Sequence, residues 1–195
     1  PYPGGPRISA LAESARTHAD STQTHAEDIK FPRPMMHSND LNFSFSGLKT
    51  AVLYFVRDHQ REVSENPRLR SVIAKSFEDA AVEVLVEKTY RALLELGNKI
   101  KTLIVAGGVS ANLHLSRELS KLTSKFPDIN LRLPIKSLTT DNAIMIGIAA
   151  FIKVSLEPEI LNNQTAIKAQ GNLSIDSELS RTISSVHKDI LSFPI

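Results

Sequence analysis

The sequence contains no cysteine, carries little net charge and has no long apolar run. The absence of cysteine excludes disulfides, thiolate zinc sites and cysteine nucleophiles. A net charge of +2 excludes a global polycation, so any contact with nucleic acid has to come from a local basic patch. No apolar run approaches the ~20 residues of a membrane-spanning helix, and we expect no membrane partner. The first residues, PYPGGPRISAL, lack an initiator Met and a signal-like segment, so we expect the C-terminal portion of a longer protein.

What the chain does contain is enough for a folded core. It has 195 residues, of which 42% are hydrophobic and 23% charged, as in an ordinary soluble globular domain. Apolar residues recur at intervals of three and four, which predicts helices over about 7–16, 69–96 and 111–125. Residues 142–155 are apolar all round, and we therefore expect that helix at the centre of the fold.

Three short segments are predicted as strands. Residues 41–46 alternate apolar and polar side chains, the period of a half-buried strand. Residues 102–106 form a short apolar run with β-branched side chains, typical of a strand buried on both faces. Residues 129–133, INLRL, are predicted as another strand. The repeated alternation of strand and helix predicts an α/β layer structure with parallel strands.

A glycine turn follows the first of these apolar strands, within the stretch KTLIVAGGVSAN at 101–112. Gly107 and Gly108 end the strand, and Ser110 is predicted to cap the following helix. Backbone N–H groups point outward at such a junction, so a phosphate could sit there. A compact strand-to-helix connection without a ligand is an equally good interpretation of these residues alone.

Three polar residues have ordinary structural interpretations when they are considered singly. Glu78 and Asp79 are adjacent on the long predicted helix and point in different directions, which favours a solvated face over a catalytic pair. Asp141 is predicted to cap the helix that begins at Asn142. Asn112 is a polar residue in a first helical turn, although an amide can both donate and accept hydrogen bonds at a nucleoside.

Six separated motifs nevertheless resemble one family, over about residues 1–155. They are YPGGP at 2–6, FPRPM at 31–35, FSFSGLKT at 43–50, SFEDAAVEVLVEK at 76–88, AGGVSAN at 106–112 and TTDNAIMIG at 139–147. In order and spacing they resemble the tRNA N6-adenosine threonylcarbamoyltransferases, and in particular their bacterial and mitochondrial branch. A lone AGGVSAN would be weak, because sugar kinases and chaperone ATPases carry related glycine turns.

The resemblance implies a fold and a domain organisation. The fold would be α/β, the C-terminal portion of the two-lobed actin, hexokinase and heat-shock-ATPase (ribonuclease H-like) architecture, with a helical insertion. Residues 1–156 would form a partial second lobe, with the insertion at about 7–97 and the α/β part at about 98–156. Residues 157–195 would be a polar tail with an amphipathic helix.

The resemblance also implies a reaction and its partners. The family transfers a threonylcarbamoyl group from threonylcarbamoyl-adenylate to the N6 amine of the adenosine adjacent to the anticodon, in tRNAs that read ANN codons. The nucleophile is that amine, so no catalytic protein residue is assigned. One divalent metal ion per subunit is implied, iron first, with zinc or magnesium as alternatives. The other expected partners are a second copy of the protein, in a homodimer, or accessory modification proteins.

By motif, the resemblance assigns site residues to this sequence. Asp141 in TTDNA falls on the family's metal-binding Asp. Asn112 falls on its nucleotide-contacting Asn, in the turn that holds Gly107 and Gly108. Gly5 falls on a glycine that lines the adenylate ribose site. Four residues further on, the archaeal branch has a Glu where this chain has Ser9, which again places the chain in the bacterial or mitochondrial branch. The resemblance thus assigns five residues to the substrate site: Gly5, Ser9, Gly107, Gly108 and Asn112.

The main departure from the family is the missing HxxxH motif, which supplies two metal-binding histidines. No two of the six histidines have that spacing, and we expect the chain alone to be inactive. The long tail from Glu157 favours a mitochondrial protein, with a bacterial-type cytoplasmic protein as the alternative. Two other functions stay open: a non-catalytic nucleotide- or partner-binding module, and a sugar-kinase-like phosphotransferase of the same superfamily.

Overall fold

The computed structural model describes residues 4–17 and 29–162, which fall into two compact units that divide after Thr140. The predicted amphipathic helix of the tail lies outside the described residues. The domain boundary predicted after residue 156 stays a prediction.

The first unit is mostly helical. Its helices are α1 (Gly5–Thr17), α2 (Ser46–Asp58), α3 (Gln60–Glu65), α4 (Pro67–Leu96) and α5 (Leu113–Thr123). The 30-residue α4 confirms the long helix predicted over 69–96. It begins where Asn66 accepts a hydrogen bond from the backbone N–H of Leu69 at 3.1 Å, with Pro67 in its first turn.

Helix α4 organises the first unit because two hydrophobic cores form along it. At 1.5 Å per residue, 30 residues extend about 45 Å, enough to contact several elements at once. One core contains Ile73 and Ala80 of α4 with Leu48 of α2. The other contains Val82 and Leu93 of α4 together with three leucines of α5, Leu115, Leu119 and Leu122. Helix α1 also packs extensively against α4.

A small parallel sheet lies beside α5. Strands β1 (Thr102–Ile104) and β2 (Asn130–Arg132) pair in parallel with Leu103 opposite Leu131, which confirms the α/β prediction. The expected burial of β1 on both faces is wrong, because Ile104 is 71% exposed. Among the described residues the sheet has only these strands, so the α4–α5 core covers one face and no layer covers the other.

The strand predicted over 41–46 is absent: residues 41–45 are irregular, and α2 begins at Ser46. Side-chain contacts replace strand pairing here. The buried Lys88 of α4 donates from Nζ to the Ser38 carbonyl oxygen at 3.2 Å and to the Asp40 carbonyl oxygen at 2.6 Å. Asp40 in turn accepts from the backbone N–H of Asn42 at 3.2 Å. The alternating pattern was misleading because nothing in the sequence revealed this buried ammonium anchor.

Replacing Lys88 with methionine is expected to destabilise the fold. The substitution keeps the apolar stem but removes the buried donor of the Asp40 carbonyl and leaves the Ser38 carbonyl with only its bond from Arg91 Nη1, which costs about 1–3 kcal/mol of unfolding free energy. Urea unfolding followed by circular dichroism measures the loss. The control Lys121→Met, at a side chain that is 72% exposed, should change the free energy by less than about 0.5 kcal/mol. Equal effects of the two substitutions would contradict the anchoring role of Lys88.

In the second unit, residues 141–162 are described, and they form an apolar helix, α6 (Ala143–Leu156), followed by a 3-10 turn at Pro158–Asn162. The expectation that α6 is central is wrong for this structure, since none of its residues is buried and Phe151 is 73% exposed. The described part of this unit supplies only the short 3-10 turn to pack on α6. None of the described helices combines the length and apolarity needed to cross a membrane.

Candidate functional site

The glycine turn connects β1 to α5 through a short 3-10 helix at Gly108–Ala111. Gly107 has a φ of 86°, a conformation that favours glycine. The predicted helix cap at Ser110 is wrong: its hydroxyl donates to the Gly107 carbonyl oxygen at 2.6 Å. Asn112 caps α5 instead, and its Oδ1 accepts from the backbone N–H of Leu115 at 2.8 Å. The 3-10 turn delays the helix start and thereby shifts the cap by two residues.

Asn112 connects three helices through its side-chain amide. Its Nδ2 donates to Ser9 Oγ of α1 at 3.1 Å and to Glu78 Oε1 of α4 at 2.5 Å. Ser9 and Asn112 were both assigned to the substrate site by motif, and the fold brings them together across 103 positions of sequence. The glycine turn, α1 and α4 therefore meet at one polar junction.

An ion network surrounds this junction. Arg16 of α1 lies with one terminal nitrogen 2.5 Å from Glu78 Oε2 and with the other against Asp79 Oδ1. Asp79 also accepts from Lys75 Nζ at 2.9 Å and lies 3.1 Å from His114 Nε2. The solvated face predicted for Glu78 and Asp79 is wrong, since Glu78 is only 5% exposed. The single guanidinium of Arg16 contacts both carboxylates.

The network sets the protonation of its members. Burial would raise the pKa of Asp79, but the hydrogen bonds from Lys75 and Arg16 outweigh it and keep that pKa below its usual value. Burial also opposes the charge on Arg16, yet its bonds to Glu78 and Asp79 raise its pKa, so the guanidinium stays charged. Burial, followed by the nearby Arg16 charge, lowers the pKa of His114.

An open cavity of about 360 Å³ adjoins the network between α4 and α5. Its lining includes Arg16, Asp79, His114 and Glu118, with Val82 and Val86 as apolar wall. Each of these charged side chains already has a protein partner, so the cavity is a polar recess of the network.

Other motif-assigned residues occupy different places. Gly5 begins α1, one turn before Ser9. Among the residues that the structure describes, no other group approaches within 4 Å of the position where a Cβ would stand on Gly5, Gly107 or Gly108, so each has open space beside it. Their assignment to a substrate site stays a prediction.

Asp141 belongs to the second unit and is exposed. It is not the predicted cap of α6, because Asn142 Oδ1 accepts from the backbone N–H of Met145 at 3.0 Å. The carboxylate of Asp141 is therefore not used for capping. Among the described residues, no cluster of three or more His, Cys, Asp or Glu side chains could hold a metal ion.

Sequence reasoning missed Arg16 and His114, and it undervalued Glu78. The available signal was the carboxylate pair within SFEDAAVEVLVEK, a motif of the resemblance. Its partner Arg16 lies 62 positions earlier, on a helix whose pairing with α4 no local pattern reveals.

These features define an α/β protein with a polar three-helix junction at a glycine turn. Residues 1–148 match the family model described as tRNA N6-adenosine threonylcarbamoyltransferase. This chain belongs to that family, which confirms the resemblance found in the sequence. The position of the chain within a two-lobed architecture stays a prediction.

Curated proteins with that name are similar to this chain in sequence. The chain is 41% identical over 168 residues to the protein of Burkholderia vietnamiensis, covering 85% of this chain and 45% of the relative. It is 42% identical over 164 residues to that of Burkholderia ambifaria, covering 83% and 44%. For Nitrosospira multiformis the identity is 41% over 153 residues, covering 78% and 41%. The chain thus spans less than half the length of the curated relatives it matches.

His114 should make stability fall in mild acid. Because its folded-state pKa lies below the ordinary 6.5, the unfolded chain binds the proton more readily. The stabilisation is present above pH 6.5 and is lost as the pH falls from there towards the folded pKa. The groups facing His114 are Arg16, Asp79, Glu78 and Glu118.

Urea unfolding at several pH values between about 7.5 and 5 would measure this dependence on either side of the ordinary histidine pKa. The variant His114→Gln should lose stability less steeply than the wild type, because it lacks the proton uptake at position 114 and changes no other titratable group. Identical slopes would contradict the assignment.

Proposed function

We propose that the protein transfers a threonylcarbamoyl group from threonylcarbamoyl-adenylate to the N6 amine of the adenosine adjacent to the anticodon, in tRNAs that read ANN codons. It would do so as part of a longer chain, because the matched relatives have more than twice the aligned length. The family match over residues 1–148 carries the proposal. It favours this acyl transfer over the sugar-kinase-like alternative.

The chemistry requires positioning more than a protein nucleophile. The adenosine amine attacks the threonylcarbamoyl carbonyl, an N–C bond forms, the bond to the adenylate phosphate oxygen breaks, and AMP leaves while the amine loses a proton. Holding donor and acceptor in line supplies a large part of such a rate enhancement. We therefore assign no catalytic residue within this chain.

Gly5, Ser9, Gly107, Gly108 and Asn112 are the proposed adenylate-binding residues. Three features support this assignment: the hydrogen bond between Ser9 and Asn112, the open space beside the three glycines, and the positive φ of Gly107. Without side chains, the glycines leave room for the nucleotide to approach the backbone closely. The side chains of Ser9 and Asn112 would fix the orientation of its nucleoside.

Asp141 is the proposed ligand of one divalent metal ion, with iron expected and zinc or magnesium as alternatives. Its exposed carboxylate, which the cap at Asn142 leaves available, fits such a role because carboxylate oxygen is a ligand for each of these ions. The remaining ligands would come from outside the described residues. When bound, the ion would polarise the donor carbonyl or organise its phosphate.

The proposed macromolecular partners are tRNA and either a second copy of the protein or accessory modification proteins. A mitochondrial location is proposed, with a bacterial-type cytoplasm as the alternative. Fluorescence microscopy of the full-length gene product, tagged at its C-terminus, distinguishes the two. Diffuse cytoplasmic fluorescence in a cell with mitochondria would overturn the mitochondrial proposal.

Removal of the gene tests the proposed function in the cell. Mass spectrometry of nucleosides from ANN-reading tRNAs should show loss of N6-threonylcarbamoyladenosine in the compartment that holds the protein, and its return with the wild-type gene. Unchanged modification in every compartment would overturn the proposal and favour a non-catalytic binding module.

A further inference from the structure

The amide of Asn112 has both of its hydrogens committed inside the protein. Nδ2 donates to Glu78 Oε1 and Ser9 Oγ, while Oδ1 accepts from the Leu115 backbone N–H. The orientation of the amide follows from this pattern, because a backbone N–H requires the oxygen and a carboxylate requires the nitrogen. A side-chain amide oxygen has two lone pairs, so one acceptor position on Oδ1 remains for a ligand.

Glu78 is held where it can impose that orientation. Its carboxylate is buried, and its second oxygen is bound by Arg16 at 2.5 Å. A charge-assisted hydrogen bond from Asn112 to this fixed carboxylate is stronger than the bond to the Ser9 hydroxyl. If the amide rotated by 180°, its oxygen would face the Glu78 carboxylate and its NH₂ group would face the Leu115 N–H. Both contacts would be repulsive.

We propose that Glu78 is a positioning residue which fixes Asn112 as a pure hydrogen-bond acceptor towards the adenylate. The inference rests on the proposed function and specifies what Asn112 recognises. Its ligand must be a donor, either a ribose hydroxyl or the adenine amine, and not a phosphate oxygen. Asp79 is the matched control position, because it also binds Arg16 but makes no hydrogen bond to Asn112.

Two measurements on the full-length protein test the proposal: steady-state kinetics with threonylcarbamoyl-adenylate and tRNA, and calorimetric binding of AMP. Glu78→Ala should raise the KM for the donor and the Kd for AMP about tenfold, with kcat within about twofold, since one ground-state contact loses its orientation. Glu78→Gln keeps an acceptor for Asn112 and should recover most of the affinity. Asp79→Asn should leave both constants unchanged even if it lowers stability.

A polarity exchange tests the acceptor role separately and does not depend on how well Glu78→Ala folds. Asn112→Asp keeps the helix cap and an acceptor oxygen, but places a second carboxylate against Glu78, and should raise the AMP Kd more than about tenfold. Adding Glu78→Gln supplies an amide donor to Asp at position 112 and should restore the Kd to within about threefold of wild type. A double variant that stays impaired would show that Asn112 donates to the ligand, and would overturn the proposal.

The failures of the two proposals are distinguishable. A wild-type protein that binds AMP but transfers nothing would overturn the proposed function, while the Kd series would still decide the role of Glu78. Equal constants for wild type and Glu78→Ala in an active enzyme would overturn the positioning role alone. A wild-type protein that neither transfers nor binds AMP would overturn both.

Discussion

Replacing Arg16 with methionine is expected to lower the free energy of unfolding by about 3–5 kcal/mol, the usual cost of breaking a buried ion pair from one side. The substitution removes the guanidinium that bonds Glu78 and Asp79 together. The Glu78 side chain is 6% exposed, so its charge would stay buried with only the Asn112 amide as a partner. The apolar part of methionine retains most of the packing, so the loss reports mainly the uncompensated charge. Urea unfolding followed by circular dichroism measures it.

Arg117→Met provides the matched control. Like Arg16, Arg117 joins two helices: it lies on α5 and makes two hydrogen bonds to Glu13 of α1, at 2.8 and 2.6 Å. The hydrogen bond from Arg117 lowers the pKa of Glu13 to about 2. Solvent screens this exposed pair, so its loss should cost no more than about 1 kcal/mol. If Arg16→Met proved as mild as the control, the buried network would not be what holds α1 on α4.

Replacing Asp141 with alanine should empty the proposed metal site. Because its carboxylate would be a direct ligand, the bound metal should fall below about a tenth of the wild-type content. The rate of threonylcarbamoyl transfer should fall at least about 100-fold. Elemental analysis of the purified full-length protein gives the metal content independently of activity. Folding should be little affected, since Asp141 is exposed and Asn142 caps α6.

Asp128→Ala is the control for this experiment, because Asp128 is an exposed aspartate outside the proposed site. It should change neither metal content nor transfer. Unchanged metal in Asp141→Ala would remove Asp141 from the site. Loss of transfer with full metal content would assign it a different role.

Local sequence patterns were sufficient to predict the helices and strands that are determined by nearby residues. The apolar spacing of residues 69–96, with Pro67 before it, identified α4, because a long helix reveals its period over many turns. The alternation of strand and helix identified the parallel pairing of β1 and β2. The separated motifs identified the family, because their order and spacing are far more specific than any one of them.

The errors about burial and strand pairing share a physical cause, which is dependence on residues distant in sequence. Glu78 was assigned to a solvated face because its burial depends on Arg16 and Asn112, which lie on other helices. Residues 41–45 have an alternating pattern but pair with no strand, and Lys88 binds the residues just before them, Ser38 and Asp40. The all-apolar pattern of residues 142–155 predicted a helix at the centre of the fold, yet the described part of its unit provides no layer to cover α6.

A reconstituted transfer reaction tests the central claim most directly. The purified full-length protein, metal-loaded and with any accessory proteins it requires, is incubated with threonylcarbamoyl-adenylate and an unmodified ANN-reading tRNA. Mass spectrometry then locates the product. We expect N6-threonylcarbamoyladenosine beside the anticodon, with its formation strongly reduced by Asn112→Ala. Binding of AMP and tRNA without any modified nucleoside, under conditions in which a Burkholderia vietnamiensis relative is active, would contradict it.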